Sequence, residues 1–266
     1  MQPDSRAVLC TTITHMIKKT STRRQAKRRS PDAQPIALPK PALKPGRSLA
    51  KTLQLRRSTR EMSDRKLPIQ TLSNLLWAAC GVNRKKGPFG IPGRTAATAS
   101  NSQEIDVYVA LEEGTYLYDP LHHRLVPVVA ADLRRLAIGR GQGNAGADAP
   151  VRLIYAADID KLAHTSGFQE PGLQDPDVQR SYYYVDTGLI AANLYLFAAC
   201  FGLAAWFHNC DRAGLSAKLG LRSDQRVLFG QTVGYAIVRS EPSPTRRSDG
   251  ETSRYTATAT PRTSRR

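Results

Sequence analysis

The 266-residue chain is short of acidic residues, of paired cysteines and of unbroken apolar sequence, and each shortage removes a class of protein. Asp and Glu number 22 against 39 Lys and Arg, which leaves a net charge of +17. Charge that far from neutrality calls for an anionic partner or for basic ends that stay solvated. Cys10, Cys80, Cys200 and Cys210 contain no CxxC pair. Two of them sit in apolar runs, so reduced thiols are expected, with neither a disulfide framework nor a zinc site. His15, His164 and His208 are scattered, and the adjacent His122 and His123 fall in a hairpin turn, where they read as solvated rather than metal-binding. No stretch offers the ~20 unbroken apolar residues of a bilayer span. The longest, Gly188 to Phe207, is interrupted by Asn193 and Tyr195 and reads as a buried helix. The basic cluster from Lys18 to Arg29 follows the partly apolar residues 7 to 17 instead of preceding them, the reverse of a secretion signal. A cytoplasmic protein without membrane attachment is the expectation.

Part of the positive charge is terminal. Residues 1 to 35 carry eight basic against two acidic residues, and residues 240 to 266 carry six against three, so the middle keeps +8 of the +17. Both ends mix Ser, Thr and basic residues without periodicity and read as disordered basic tails around one domain at 36 to 239. Prolines from Leu38 to Gly46 predict an extended arm laid along a surface. Ser48 is placed to cap a helix through Leu49, Leu53 and Leu55 that runs into Arg56, Arg57 and Arg60. Pro68 then opens a second helix, with Ile69, Leu72, Leu75, Leu76 and Ala79 at helical spacing and Gly81 at its end. Ile105 to Leu111 alternates as a half-buried strand, and Thr115 to Tyr118 with Arg124 to Val129 forms a hairpin. A short helix is expected at Ala131 to Ile138, a strand at Val151 to Ala157, a long helix at Tyr182 to Phe201, and strands at Leu203 to Phe207 and Arg226 to Val238. This alternation, with a hairpin inside it, predicts an α+β fold with a mixed or antiparallel sheet flanked by helices.

Three stretches attract attention as chemistry. GQGNAG at Gly141 to Gly146 has G-x-G-x-x-G spacing, but it follows an expected helix and leads into a strand, the wrong order for a phosphate-cradling turn, and reads as a flexible loop. Arg56, Arg57, Ser58, Thr59 and Arg60 set three guanidinium groups and two hydroxyls within five residues, enough to surround a phosphate; a solvated basic helix end is the alternative. Thr98, Ser100, Asn101, Ser102 and Gln103 present side chains that both donate and accept and could pair with the edge of a heterocycle, or form only a polar turn. The aromatics Phe168, Tyr182, Tyr183, Tyr184, Trp206 and Phe207 read as core rather than as catalytic groups.

Taken in order, RRSTR at 56 to 60, LLWAACGVNR at 75 to 84, RTAATASNSQ at 94 to 103, YVDTGLIAANLYLFAACFGLA at 184 to 204 and GQTVGY at 230 to 235 resemble the nitroreductase superfamily. Within it the chain is most similar to dehydrogenases related to the thiazole and oxazole oxidases of peptide maturation. The resemblance spans roughly Leu38 to Arg239. It implies FMN as cofactor, NAD(P)H as electron donor, and a homodimer with the flavin at the interface and the long helix packed against its partner, for which Gly188, Ala191, Ala192, Ala198 and Ala199 are suitably small.

By the same resemblance, Arg56 and Ser58 hold the FMN phosphate and ribityl chain. Arg60 lies toward the ribityl or pyrimidine edge, with Arg57 beside them. Thr98, Ala99 and Asn101, supported by Gln103, meet the flavin of the partner subunit. His208 and Asn209 offer main-chain N–H groups to flavin N5 and O4, and a late basic residue, Arg239 or else Arg246 or Arg247, completes the phosphate site. The family's proline and serine before this asparagine are here Ala97 and Thr98. No catalytic side chain and no metal are implied, because a flavin brings its own hydride chemistry. The acceptor expected is a nitroaromatic, a quinone or another small molecule, unless a heterocycle is oxidised instead. A basic nucleic-acid-binding protein is the rival reading, weakened by the terminal position of much of the charge and by the lack of a reading motif in the middle. A flavin-binding fold without turnover is a third.

Overall fold

The computed structural model describes residues 34–43, 46–142, 146 and 149–237. The expected tails, apart from Gln34 and Pro35, lie outside the described residues, as do Arg239 and Cys10. Strands β1 (Ile36–Ala37), β4 (Ile105–Leu111), β5 (Gly114–Asp119), β6 (Arg124–Val129), β7 (Val151–Asp158), β8 (Ala204–His208) and β9 (Gln225–Gly234) form one sheet, in the order β1-β6-β5-β4-β7-β9-β8. Every neighbouring pair is antiparallel. A separate ribbon pairs β2 (Val82–Arg84) with β3 (Gly93–Arg94). The helices are α1 (Leu49–Leu55), α2 (Ile69–Cys80), α3 (Ile159–Ala163), α4 (Pro176–Phe201) and α5 (Arg212–Leu219). The fold is α+β, with helices on both faces of the antiparallel sheet.

The two-residue period of the central strands explains the layers. On β7, Val151, Leu153, Tyr155 and Ala157 face a core shared with α2 and α4, while Ile154 and Ala156 face a second cluster with Leu215 and Leu219 of α5. β4 divides the same way, with Ile105, Val107 and Val109 on one side and Tyr108 and Ala110 on the other. The expected half-buried alternation of β4 is therefore corrected: helices cover both faces, so apolar residues are buried on both, with Asp106 the polar exception. The extended arm is present in residues 38 to 43 and is tied down by side chains of α2. Asn74 exchanges hydrogen bonds with the backbone of Ala42 at 2.9 and 3.1 Å, and Ser73 donates to Pro39 O.

Other boundaries depart from expectation for local reasons. Ala131 to Ile138 forms turns rather than a helix, because the Asp132 carboxylate takes the Arg134 backbone N–H (2.9 Å) and grips its guanidinium (2.7 Å). α4 starts six residues before Tyr182: Asp175 caps it by accepting from Asp177 N and Val178 N, and Pro176 supplies a preset first turn. α1 ends at Leu55 with Arg56 as its C-cap, whose N–H bonds Thr52 O at 2.9 Å, so of the basic run only Arg56 belongs to the helix end. His123 is not simply solvated, since its ring bridges Ser73 Oγ (2.7 Å) and Tyr118 OH (2.9 Å).

By length and composition alone α4 is apolar enough to cross a membrane. One of its faces is packed into the core through Tyr183, Ile190, Ala191, Leu194, Phe197 and Ala198. The opposite face is open: Tyr184, Val185, Gly188, Leu189 and Ala192 are exposed at spacings of three and four. The expectation of a buried helix is thus met on one side.

Candidate functional site

After α1 the chain runs extended beside β8, the last strand of the sheet. Thr59 N donates to Ala205 O at 2.9 Å, and Arg56, Ser58 and Arg60 are all exposed, two residues apart. Tyr195 of α4 organises this stretch. Its hydroxyl accepts the Phe207 N–H (2.7 Å) and bonds Ser58 Oγ (2.9 Å), while its ring lies 5.5 Å below the Arg56 guanidinium. Arg60 sits 5.3 Å over the Trp206 ring. Cation–π contacts of this kind hold an arginine in place without consuming its N–H donors. Arg57 is exposed. Two positioned guanidinium groups and a hydroxyl form a donor set that suits a phosphate monoester and an adjoining polyol.

β8 ends at His208, whose side chain turns inward and is 4% exposed. Its Nδ1 lies 2.9 Å from Asn209 O, a carbonyl that can only accept, so Nδ1 carries the proton and Nε2 accepts from Thr232 Oγ1 at 2.7 Å. Burial pushes the imidazole down to about 4, helped by the nearby charge of Arg152. A neutral, inward His208 leaves only main chain available at this position. Gly230, its partner across the ladder, admits no side chain: a Cβ there would strike Ala137 O and the His208 ring. Asn209 is exposed and lines a shallow cavity of about 400 Å³ with Gly139, Gln142, Cys210 and Arg212.

The third group, 98 to 103, is a tight loop leading into β4. Ser100, Asn101 and Gln103 adopt left-handed backbone, with φ of 47°, 56° and 54°. Such angles persist only where the surroundings fix them, and here the fixings are visible. Ala99 N donates to Asp186 Oδ2 on α4 (2.8 Å), and Gln103 N donates to Thr98 Oγ1 (3.1 Å). Asn101 Nδ2 donates to Ile91 O (3.2 Å) and Pro88 O (3.4 Å), while Gln103 Nε2 donates to Pro92 O (2.6 Å) and Asn101 Oδ1 (2.9 Å). Both side-chain NH2 groups thus donate inside the loop, as the polar-turn alternative has it, which leaves the Thr98 hydroxyl proton and the Ala99 surface.

Beneath the loop lies a carboxyl pair that the sequence did not flag. Glu104 is 0% exposed, its Oε2 accepts Ser102 O–H at 2.5 Å, and the second carboxyl group, that of Asp186, faces it. Burial, and then the charge of Asp186, push Glu104 up to about 7; burial also raises Asp186. Tyr195 was legible only as a polar interruption of an apolar run, and Asp186 carried no signal of its own.

The structure therefore gathers Arg56, Ser58 and Arg60 with Tyr195 and the end of β8, and holds Thr98, Ala99, Asn101 and Gln103 elsewhere. Their contacts on α4, Tyr195 and Asp186, are nine residues apart, about 14 Å of helix rise. A larger cavity, about 530 Å³, opens between the start of α2 and the β4–β5 turn, lined by Lys66, Leu67, Leu72, Leu111, Glu112 and Arg134. None of the candidate residues lines it.

The model of the Nitroreductase family matches residues 53–235, more than half of the chain. The chain belongs to the nitroreductase family. A candidate nitroreductase of Methanocaldococcus jannaschii is 30% identical over 155 residues, covering 56% of this chain and 71% of that protein. The crystal structure of a candidate nitroreductase from Ralstonia eutropha JMP134 is similar with a TM-score of 0.68 and 37% identity, covering 80% of this chain and 94% of that one. The Escherichia coli microcin synthetase McbBCD complex contains a chain similar in fold, with a TM-score of 0.56 and 16% identity over 87% of this chain and 94% of that one. As a member of the nitroreductase family the chain is an oxidoreductase. All three site segments fall inside the family match, whereas Arg239 lies beyond both the match and the described residues.

Proposed function

We propose that this nitroreductase-family chain binds FMN and transfers hydride from NAD(P)H to a small planar acceptor such as a quinone or nitroaromatic, working as a homodimer. The observation that carries the reading is the exposed Arg56–Ser58–Arg60 row held by Tyr195 and Trp206 at the edge of β8. In this arrangement Arg56 and Ser58 bind the phosphate and ribityl chain, Arg60 brings positive charge toward the pyrimidine edge, and the main chain at His208 and Asn209 faces the ring. FMN, when bound, supplies the hydride chemistry itself. The protein's part is to hold it, to place positive charge and N–H dipoles where negative charge develops, and to keep one face open. His208, neutral and enclosed, moves no proton.

The homodimer is supported by the open apolar face of α4 and by the neighbouring α1, whose Leu49 and Leu53 are 67% and 56% exposed. Apolar rows on two adjacent helices are an expected partner surface. Loop 98 to 103, some way along α4 from the arginine row, would then serve the partner's flavin through Thr98 and Ala99. Closer kinship to thiazole and oxazole dehydrogenases, with a heterocycle as hydride donor, is the finer proposal that substrate tests would decide.

The test uses the full chain. Purified protein should bind FMN, and its flavin absorbance should bleach anaerobically with NADH or NADPH. Replacing Arg56 and Ser58 together by alanine should abolish flavin retention with the melting temperature kept, since both side chains are exposed. A double variant that retains flavin undiminished would sink the reading, and bound flavin that neither nicotinamide reduces would restrict it to cofactor binding without turnover.

A further inference from the structure

Between β2 and β3 the chain presents Phe89 in a way that packing does not explain. The residue is 56% exposed, and Ile91 beside it is 38% exposed. Its backbone is left-handed at φ 58°, a conformation that bulky L residues avoid. Two neighbouring segments enforce this. Asn101 Nδ2 bonds Pro88 O and Ile91 O on either side of Phe89, and Gln103 Nε2 bonds Pro92 O. From the other side Gly167, at φ 82°, lies so close that a Cβ there would meet Phe89 Cζ at 2.7 Å. Ser100 Oγ donates to Gly167 O at 3.1 Å, which locks that segment to the same loop. A strained aromatic that only filled space would be buried; this one is displayed, and strain maintained by surrounding constraints marks functional positions.

The residues that enforce the display are those of loop 98 to 103. We propose that Phe89 is the acceptor-selecting residue, an aromatic face against which a planar π-electron-poor acceptor stacks as it lies on the flavin. The assignment rests on the flavin reading above. It gives Asn101 and Gln103 a positioning role, to which the engagement of their amides corresponds. It also gives Gly167 a reason to be glycine beyond its backbone angle. An offset or edge-on aromatic contact favours a flat ring over a saturated one of equal size.

The experiment measures equilibrium binding to the oxidised, flavin-loaded protein without any electron donor, so that turnover plays no part. The probes are 1,4-naphthoquinone and a saturated bicyclic diketone of similar size. Phe89→Asn keeps a side chain at ease with left-handed backbone while removing the ring; Phe89→Tyr keeps the ring. For Phe89→Asn the preference for the naphthoquinone should fall by about tenfold, the upper range of an aromatic pair, and Phe89→Tyr should retain it. If Phe89→Asn binds both probes as the wild type does, or weakens both equally, the assignment fails while the flavin reading stands. If it instead loosens the dimer at unchanged preference, the ring is an interface residue and the assignment also fails. Wild-type protein that takes up no flavin overturns the flavin reading itself.

Discussion

At the residue scale, Tyr195 shows how one phenol can organise a binding surface without touching the reacting atoms. It joins a main-chain N–H of β8, the Ser58 hydroxyl and the Arg56 guanidinium. Tyr195→Phe keeps the ring under Arg56 but leaves Ser58 and Phe207 N without their partner, and should weaken FMN binding by about tenfold. Fluorescence titration of apoprotein reads this directly, and an unchanged Kd would remove Tyr195 from the site. Glu104 yields a pH test. Its folded value near 7 lies above its ordinary 4.5, so the folded chain keeps a proton that the unfolded chain releases. The stability this contributes is complete below the unfolded value and disappears as pH rises through the folded one. Glu104→Gln, which cannot ionise, should therefore gain melting temperature relative to wild type at about pH 8 and lose that gain at about pH 5. His208, held low by burial, acts in the opposite sense in acid but contributes equally to both proteins, so the difference between them reports the Glu104–Asp186 pair. A constant difference across that range would refute the assignment of the proton.

At the scale of elements, β7 is the load path of the fold, paired on both edges and packed on both faces. Leu153, fully buried, should cost about 2–5 kcal/mol on conversion to alanine. Leu121, exposed at the β5–β6 turn, should change stability by no more than about 0.5 kcal/mol. Urea unfolding compares the two, and similar losses would mean that the layering has been misread. The long periodic elements were the legible ones: α2 has five apolar residues at helical spacing bounded by Pro68 and Gly81, and β5, β6 and β7 stand between clear turn residues. α5 was not legible because only Leu215 and Leu219 of its eight residues are buried, too few to show a period. β1, β2 and β3, at two or three residues each, have no period at all. The site was half legible. Arg56, Ser58 and Arg60 stood out as a run, but the engagement of Asn101 and Gln103 depends on carbonyls of 88 to 92, which only the folded loop brings within reach.

At the scale of the molecule, the exposed rows on α4 and α1 decide whether the chain acts alone. Val185 and Leu189 are 58% and 41% exposed, so glutamate at both positions should leave the fold intact while producing monomers in sedimentation equilibrium. If each flavin sits between two copies, the monomers should also lose it; dimers that persist would point to a different surface. The edge-strand docking of the arginine row has one more consequence. From Arg56 to Arg60 the side chains are mostly exposed and Thr59 N to Ala205 O is the backbone bond to β8, so this stretch can lift away while the seven strands stay paired. If FMN binds there as proposed, warming should bleed colour from the protein before its circular dichroism changes, and cooling in the same cuvette should bring the yellow back.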